Sequence, residues 1–465
     1  MKRLLLGLML ASAAHAAVGQ KAAKPAKTKI DAKLIERVEK TLADDKLRGR
    51  ALNTGAPEAA QFLAGEFRRI GLQPMNGLTS FLQEFPAYEV KTTGATASLN
   101  GAPVAADHLL VTSGQEQVSW TSGQAGAPAA KVSAADPVTW TAGSGDAAPK
   151  VLVLGAQADF RKEVLPLLRA PKGNVLVVLD PAHAQWFQRL AGQFSHSAFR
   201  AEKPAPYTTA LILASGPVAD GSSYQLTASS RIREMKIANV VGVLPGRDKA
   251  KAAEQVVFSA HYDHIGILPP VAGDSIANGA DDDASGTAAV VALAQHFKKT
   301  KQNARTLIFV AFTAEEIGGF GSQYFSKQLD AAKVTAMFNI EMIGKVSKFG
   351  PGSAFITGFD KSDFGPILQR NLQGSTFKFE PDPYPEQQLF YRSDNATLAR
   401  LGVPAHSIST DQIPTDKLYH SVDDEVETLD LKNMTTVIEA IAVSARGIVA
   451  GTDTPTRITD AGQRK

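Results

Sequence analysis

The sequence predicts an α/β protein: a mixed, largely parallel sheet with helices on both faces, and a smaller α/β domain inserted into it. Three observations point there. From residue 237 onward, short apolar strand-like runs alternate with helical ones, an order that builds parallel strands through helical crossovers. Between residues 101 and 235 a second series of β-rich runs follows an abrupt change in texture toward Gly, Ala, Ser and Thr. The 465 residues, 44% hydrophobic and 20% charged, suffice for more than one core.

Taken in order, residues 1–16 ("MKRLLLGLMLASAAHA") run from a Lys-Arg pair through a short apolar stretch to Ala14-His15-Ala16. That is the order of a secretory signal, so cleavage is expected after Ala16 and a periplasmic or secreted location with it. The apolar run falls short of the roughly 20 residues that span a bilayer, so no membrane anchor is expected in the mature form. Residues 17–35 read as a Lys-rich solvated leader. Without Lys2 and Arg3, 47 basic residues face 46 acidic ones and the net charge falls from +3 to +1, which gives no basis for nucleic-acid binding. Cysteine is absent, so any metal must rest on histidine and carboxylate.

Residues 36–100 open the main domain with two amphipathic helical patterns, the second ("PEAAQFLAGEFRRIGLQP") closing at Gly71. Residues 101–235 form the insert, with "KVLVLG", "NVLVVLD" and "YTTALILAS" as strands and "FRKEVLPLLRA" and "AQWFQRLAGQF" as helices. Residues 236–452 return to the main domain through "NVVGVLPG", "EQVVFSA", a helix at 284–299, "TLIFVAF", a helix near 322–329, "TAMFNI", "AFITG", "PAHSIS" and a last helix near 433–449. Residues 453–465 read as a flexible tail.

Charge falls where these strands end. "VVFSAHYDHIG" presents His261 and Asp263, "TLIFVAFTAEEIGGFG" presents Glu315 and Glu316, and "TAMFNIEMIG" presents Glu341. Asp281, Asp282 and Asp283 precede a helix, and "PTDKLYHSVDDE" brings His420 from the loop after "PAHSIS". Open α/β sheets bind ligands at the carboxyl ends of their strands. Singly, each piece has an ordinary reading, as a helix cap, first-turn acids or a packed histidine. Together, so many carboxylates at one edge would repel severely without a cation. Imidazole and carboxylate without sulfur suit zinc, with manganese or cobalt as substitutes; calcium would prefer oxygen alone.

The segments "SAHYDHIG", "NGADDDASGTAAV", "AFTAEEIGGFGS", "MFNIEMIG", "YRSDNATLARLGVPA" and "LYHSVDDEVETLD" resemble, in this order, the co-catalytic di-zinc exopeptidases of the bacterial leucyl aminopeptidase type. Glutamate carboxypeptidases, glutaminyl cyclases and transferrin receptors are relatives. The likeness implies the zinc exopeptidase fold over about 36–100 and 236–450, with residues 101–235 as an insert like a protease-associated domain. It further implies two zinc ions, Asp282 bridging them, His261 and Glu341 completing one site and Glu316 and His420 the other. Glu315 would be the general base toward a metal-bridging water, Tyr419 an oxyanion donor, and Asp263 and Asp424 the carboxylates that orient His261 and His420. His264 does not match a ligand position and is expected to pack or hydrogen-bond.

Two departures stand out: Glu341 replaces the commoner Asp, and Ser393-Asp394-Asn395 replaces Ser-Asp-His. The expected activity is removal of N-terminal residues from peptide substrates. A carboxypeptidase or dipeptidase on the same centre is the alternative, with Glu341 and Arg392 leaving the substrate's orienting charge open. A glutaminyl cyclase would need one zinc, and a receptor-like binding module would have lost ligands that are all present here.

Overall fold

The computed structural model describes residues 29–122, 131–132, 149–169, 171–194, 198–216 and 222–459. Residues 1–16, expected to be a signal sequence, and the last six residues lie outside them.

The main sheet has twelve strands among the described residues. Its centre is four parallel strands in the order Ala405–Ser409, Val334–Ile340, Gln255–His261 and Thr306–Phe312. These are continuous apolar runs because both faces are covered. On one face, helices Ala32–Leu42, Ala56–Ile70, Gly286–Thr300 and Leu431–Ser444 pack Leu63, Phe67, Leu293, Phe297, Val437 and Ile441 over Phe258, Phe309 and Phe338. On the other, Phe325 of helix Phe320–Lys327 and Leu398 of helix Asn395–Ala399 meet Val257, Val310 and Met337.

Local chemistry sets the helix ends. Asp31 and Asp430 cap by accepting the N–H of Leu34 and Asn433. Gly71, at φ 81°, closes the second helix as its sequence position predicts, its N–H bonding the Phe67 and Arg68 carbonyls.

Among the described residues the insert is a five-stranded sheet in which Lys150–Leu154, Val175–Leu179 and Thr208–Leu213 run parallel. Helices Phe160–Arg169 and Ala184–Phe194 cover one face with Val164, Leu168 and Phe187. The other face packs against Trp120, Tyr224 and Leu226.

The expected domain limits shift in three places. Strands Leu82–Leu99 and Tyr224–Leu244 pair antiparallel along nearly their whole length and run from the main sheet into the insert, so the boundary expected at 235/236 falls inside one strand. The leader gives way to structure earlier than residue 36, since Ile30, Leu34 and Ile35 are buried in the main core. The tail does not begin at 453: Arg305 Nη1 donates to the Asp453 carbonyl, its Nη2 to Thr454 Oγ1 at 2.6 Å, and Ile458 is buried. No helix among the described residues is long and apolar enough to cross a membrane.

Candidate metal centre and active site

Three of the four central strands deliver charged residues to one edge, and the loop after the fourth carries His420. His261 is the last residue of its strand, Glu341 follows Ile340, and Glu315 and Glu316 follow Phe312 after Thr313 and Ala314. Asp282 sits in an irregular turn at Ala280–Ser285, where Asp282 (φ −106°, ψ 96°) and Asp283 (φ −127°, ψ 45°) leave helical geometry. Helix Gly286–Thr300 starts directly after it, and a Cβ at Gly286 would lie 2.1 Å from the Ile340 carbonyl oxygen, so only glycine allows this approach. Ala314 (φ 60°), Met342 (φ 52°) and His420 (φ 55°) adopt left-handed backbone beside or within the cluster. Strain of that kind, costing about 1–3 kcal/mol per residue, concentrates where side chains must be aimed.

Asp282 is the hub. Its Oδ1 lies 3.3 Å from His261 Nε2, while Oδ2 lies 3.2 Å from His420 Nε2. Glu316 Oε2 is 3.1 Å from the same His420 nitrogen. His264, expected outside the ligand set, turns Nδ1 to within 2.8 Å of Glu316 Oε1 and 3.8 Å of Asp282 Oδ2. Ligand atoms of His264, Asp282, Glu316 and His420 all lie within 4.8 Å of one another. Glu341 stands on the His261 side, its Oε2 3.3 Å from Asn339 Nδ2, which also donates to Ser393 and Ser407.

These groups perturb one another strongly. Burial lowers the pKa of His420, but hydrogen bonds and charge from Asp282 and Glu316 outweigh it and push the imidazole up to about 10. Burial would raise Asp282, yet His261 and His420 hold it well below the usual carboxylate range. Glu315 is pushed well above that range by burial and by the Glu341, Asp394 and Glu316 charges. Burial raises Tyr419, with the Asp282, Glu316 and Glu341 charges adding to it.

The supporting residues revise two expectations. Asp263 does not orient His261 through its carboxylate, which is 3.9 Å from Nδ1; its backbone carbonyl faces that nitrogen at 3.1 Å. The carboxylate instead accepts the N–H groups of Glu315 (3.1 Å) and Glu316 (3.4 Å), fixing the paired glutamates. Asp424 likewise has no hydrogen bond to His420; it accepts the N–H groups of Asp281 (3.0 Å) and Asp282 (3.1 Å). Both acids spend themselves on backbone because each strand-end turn leaves N–H groups without ladder partners.

The other two aspartates of the triplet are structural. Asp283 accepts from His261, Gly286 and Met342 N–H, tying three segments together. Asp281 accepts from Gly344 N–H and faces Lys345, whose ammonium lies 3.3 Å from it and 2.5 Å from Asp416.

Arg50, which no sequence motif singles out, is fully buried. Its Nε donates to the Tyr262 carbonyl (2.7 Å), Nη1 to those of Leu42 (2.8 Å) and Asn278, and Nη2 to those of Gly279 (2.8 Å) and Asp282 (3.4 Å). It therefore clamps both the His261 strand end and the turn carrying Asp282.

A cavity of about 360 Å³ opens onto the cluster, lined by Glu315, Phe355, Leu389, Arg392, Tyr419 and others. Tyr419 stacks on His420 with ring centroids 3.9 Å apart. A larger cavity of about 780 Å³, between the insert and helix Phe320–Lys327, shares no lining residue with it. Nitrogen and oxygen donors at separations of 2.8–3.8 Å, with the two oxygens of one carboxylate facing different histidines, fit metal bonds of about 2.0–2.2 Å. The donor set suits zinc.

Sheet and cluster together define an α/β domain that gathers imidazole and carboxylate at its strand ends around a substrate-sized cavity. Residues 239–445 match the profile of peptidase family M28. It is 28% identical over 207 residues to leucine aminopeptidase 1 of Pyrenophora tritici-repentis, covering 42% of this chain and 52% of the relative. It is 30% identical over 210 residues to a probable leucine aminopeptidase of Trichophyton verrucosum, covering 43% and 53%. The chain thus spans about half the length of these curated relatives. In fold it is similar to the aminopeptidase from Aneurinibacillus sp. strain AM-1 (TM-score 0.55, 15% identity, 94% of this chain and 97% of that one). It is also similar to the zinc aminopeptidase BSAP from Bacillus subtilis (TM-score 0.51, 15% identity, 91% and 97%).

Proposed function

We propose that the protein is a two-zinc aminopeptidase that hydrolyses N-terminal residues from peptides. The observation that carries this reading is Asp282, whose two carboxylate oxygens face His261 on one side and His420 on the other. His261, Asp282 and Glu341 would hold one ion, and Asp282, Glu316 and His420 the other. Zinc there would supply Lewis acidity, lowering the pKa of water and polarising the scissile carbonyl.

The remaining work belongs to the chain. Glu315, held by the Asp263 contact to its N–H, accepts the proton of the attacking water and passes it to the leaving amine. The Tyr419 hydroxyl, in the cavity lining, is the donor for the oxyanion. Relatives named as leucine and zinc aminopeptidases support the reaction class.

Chelation should abolish hydrolysis of aminoacyl-nitroanilides, and zinc, manganese or cobalt should restore it. Activity indifferent to a chelator overturns the proposal. Arg392 lines the same cavity, and its guanidinium favours a second reading in which a substrate's C-terminal carboxylate is the anchor. Dipeptides blocked at one end or the other separate the two: loss on blocking the amine supports the aminopeptidase, loss on blocking the carboxylate the carboxypeptidase or dipeptidase.

For location, residues 1–16 support export to the periplasm or beyond. A mature N-terminus at Ala17 in the exported protein is the expected result of sequencing, and retention of Met1 counts against it.

A further inference from the structure

We infer that His264 is itself a metal ligand, through Nδ1, at the Glu316–His420 pole, so that the two poles hold their ions unequally; this rests on the two-zinc reading above. The placement of one nitrogen carries the inference. His264 Nδ1 faces Glu316 Oε1 at 2.8 Å and Asp282 Oδ2 at 3.8 Å, and that Asp282 oxygen is the one His420 Nε2 approaches at 3.2 Å. Four side chains thus point donor atoms at one small volume, every atom within 4.8 Å of the rest. The pair separations of 2.8, 3.1, 3.2 and 3.8 Å are compatible with the edges of a coordination shell with bonds of about 2.0–2.2 Å.

Packing aims the ring there. The His264 side chain is wholly buried, and its Nε2 has no hydrogen-bond partner among the described residues. Its ring lies 5.6 Å from that of His420, centroid to centroid, with the two planes inclined at 71°. Gly279, at φ 60°, lies so close that a Cβ would stand 2.6 Å from the ring's Cγ and Cδ2. Among the described residues, the ring's polar side-chain contacts are with the donor cluster.

The opposite pole is poorer. His261 is its single imidazole, and the Glu341 carboxylate is shared with Asn339. Two imidazoles and two carboxylates against one imidazole and two carboxylates give the His264 pole the tighter hold.

Stepwise chelator competition, with metal content read by atomic absorption and cobalt loading read by its visible spectrum, tests this on the full chain. The wild type should take up two ions with distinct affinities. His264→Asn keeps an amide N–H able to hydrogen-bond Glu316 but removes the imidazole ligand; it should weaken the tighter ion by roughly tenfold or more and reduce the intensity of its cobalt band. His264→Ala should do the same, and circular dichroism establishes that each variant is folded. Should His264→Ala not fold, His264→Asn alone decides. Wild-type affinities and an unchanged cobalt spectrum in folded His264→Asn overturn the ligand role while leaving two-zinc binding intact. A wild type that takes up no ion overturns both.

Discussion

The main domain and the insert are built alike and end differently. Each has parallel strands of continuous apolar residues with helices packed on them. In the main domain those strands end in His261, Glu315, Glu316 and Glu341; in the insert, Leu154, Leu179 and Leu213 are followed by Gly155, Asp180 and Ala214. Asp180 spends its carboxylate capping the turn that follows, by accepting the Ala182 N–H at 2.9 Å. The difference teaches that chemistry here lies in the last residue of each strand or the first few after it and not in the architecture that carries them.

The sharpest way to break the comparison is to remove one strand-end group. Glu315→Gln should lower turnover by about 10²–10⁴-fold with metal content unchanged, measured on one sample by kinetics and metal analysis. Retained turnover would remove Glu315 from its role.

Next comes a pair of stability changes. Arg50→Met leaves several buried carbonyls and Glu39 without their cation, and should cost about 3–5 kcal/mol in denaturant unfolding together with loss of metal uptake. Leu176→Ala in the insert sheet should cost about 2–5 kcal/mol by leaving a cavity, yet spare metal uptake. If the insert variant lost metal as readily, the two regions would be one cooperative unit.

A further effect is set by pH. His406 sits in the strand beside Val334–Ile340, its Nδ1 2.8 Å from the Thr357 carbonyl, and burial lowers its pKa to about 4 from 6.5. The unfolded chain takes up this proton near pH 6.5 and the folded one only near 4. Stability from keeping the ring neutral is therefore full above about 6.5 and lost progressively as pH falls toward 4, by about 3 kcal/mol. Unfolding midpoints measured from pH 7 to 4 should show this loss, and His406→Gln should flatten it.

Much of this was legible in the sequence. Apolar runs that stop abruptly at acids and imidazoles announce both the buried strands and the edge that holds the site, and Gly71 announces a helix end. The supporting contacts were not legible. Asp263 and Asp424 bond backbone N–H groups, a partnership that depends on turn geometry and leaves no mark in residue type. Arg50 looks like any surface arginine in "LRGR", because only the fold brings the Asn278–Asp282 turn to it. His264, three residues beyond His261, carries no spacing signal, since its ring turns to a different pole of the cluster. The Ser393-Asp394-Asn395 departure becomes intelligible: Asn395 donates to the Phe390 and Ala405 carbonyls and accepts from Ser407, fastening the cavity wall to its strand. The continuous strand across the expected boundary was hidden by composition, although the buried and exposed residues of 82–90 largely alternate.

That same pair of strands has a mechanical consequence. The chain enters and leaves the insert along one hydrogen-bonded ribbon, so the insert is mounted on a beam and not hung on two slack tethers. To swing relative to the edge that carries His261 and Asp282, it would have to bend or twist that ribbon as a whole, and a long twisted ladder resists this far better than a loop does.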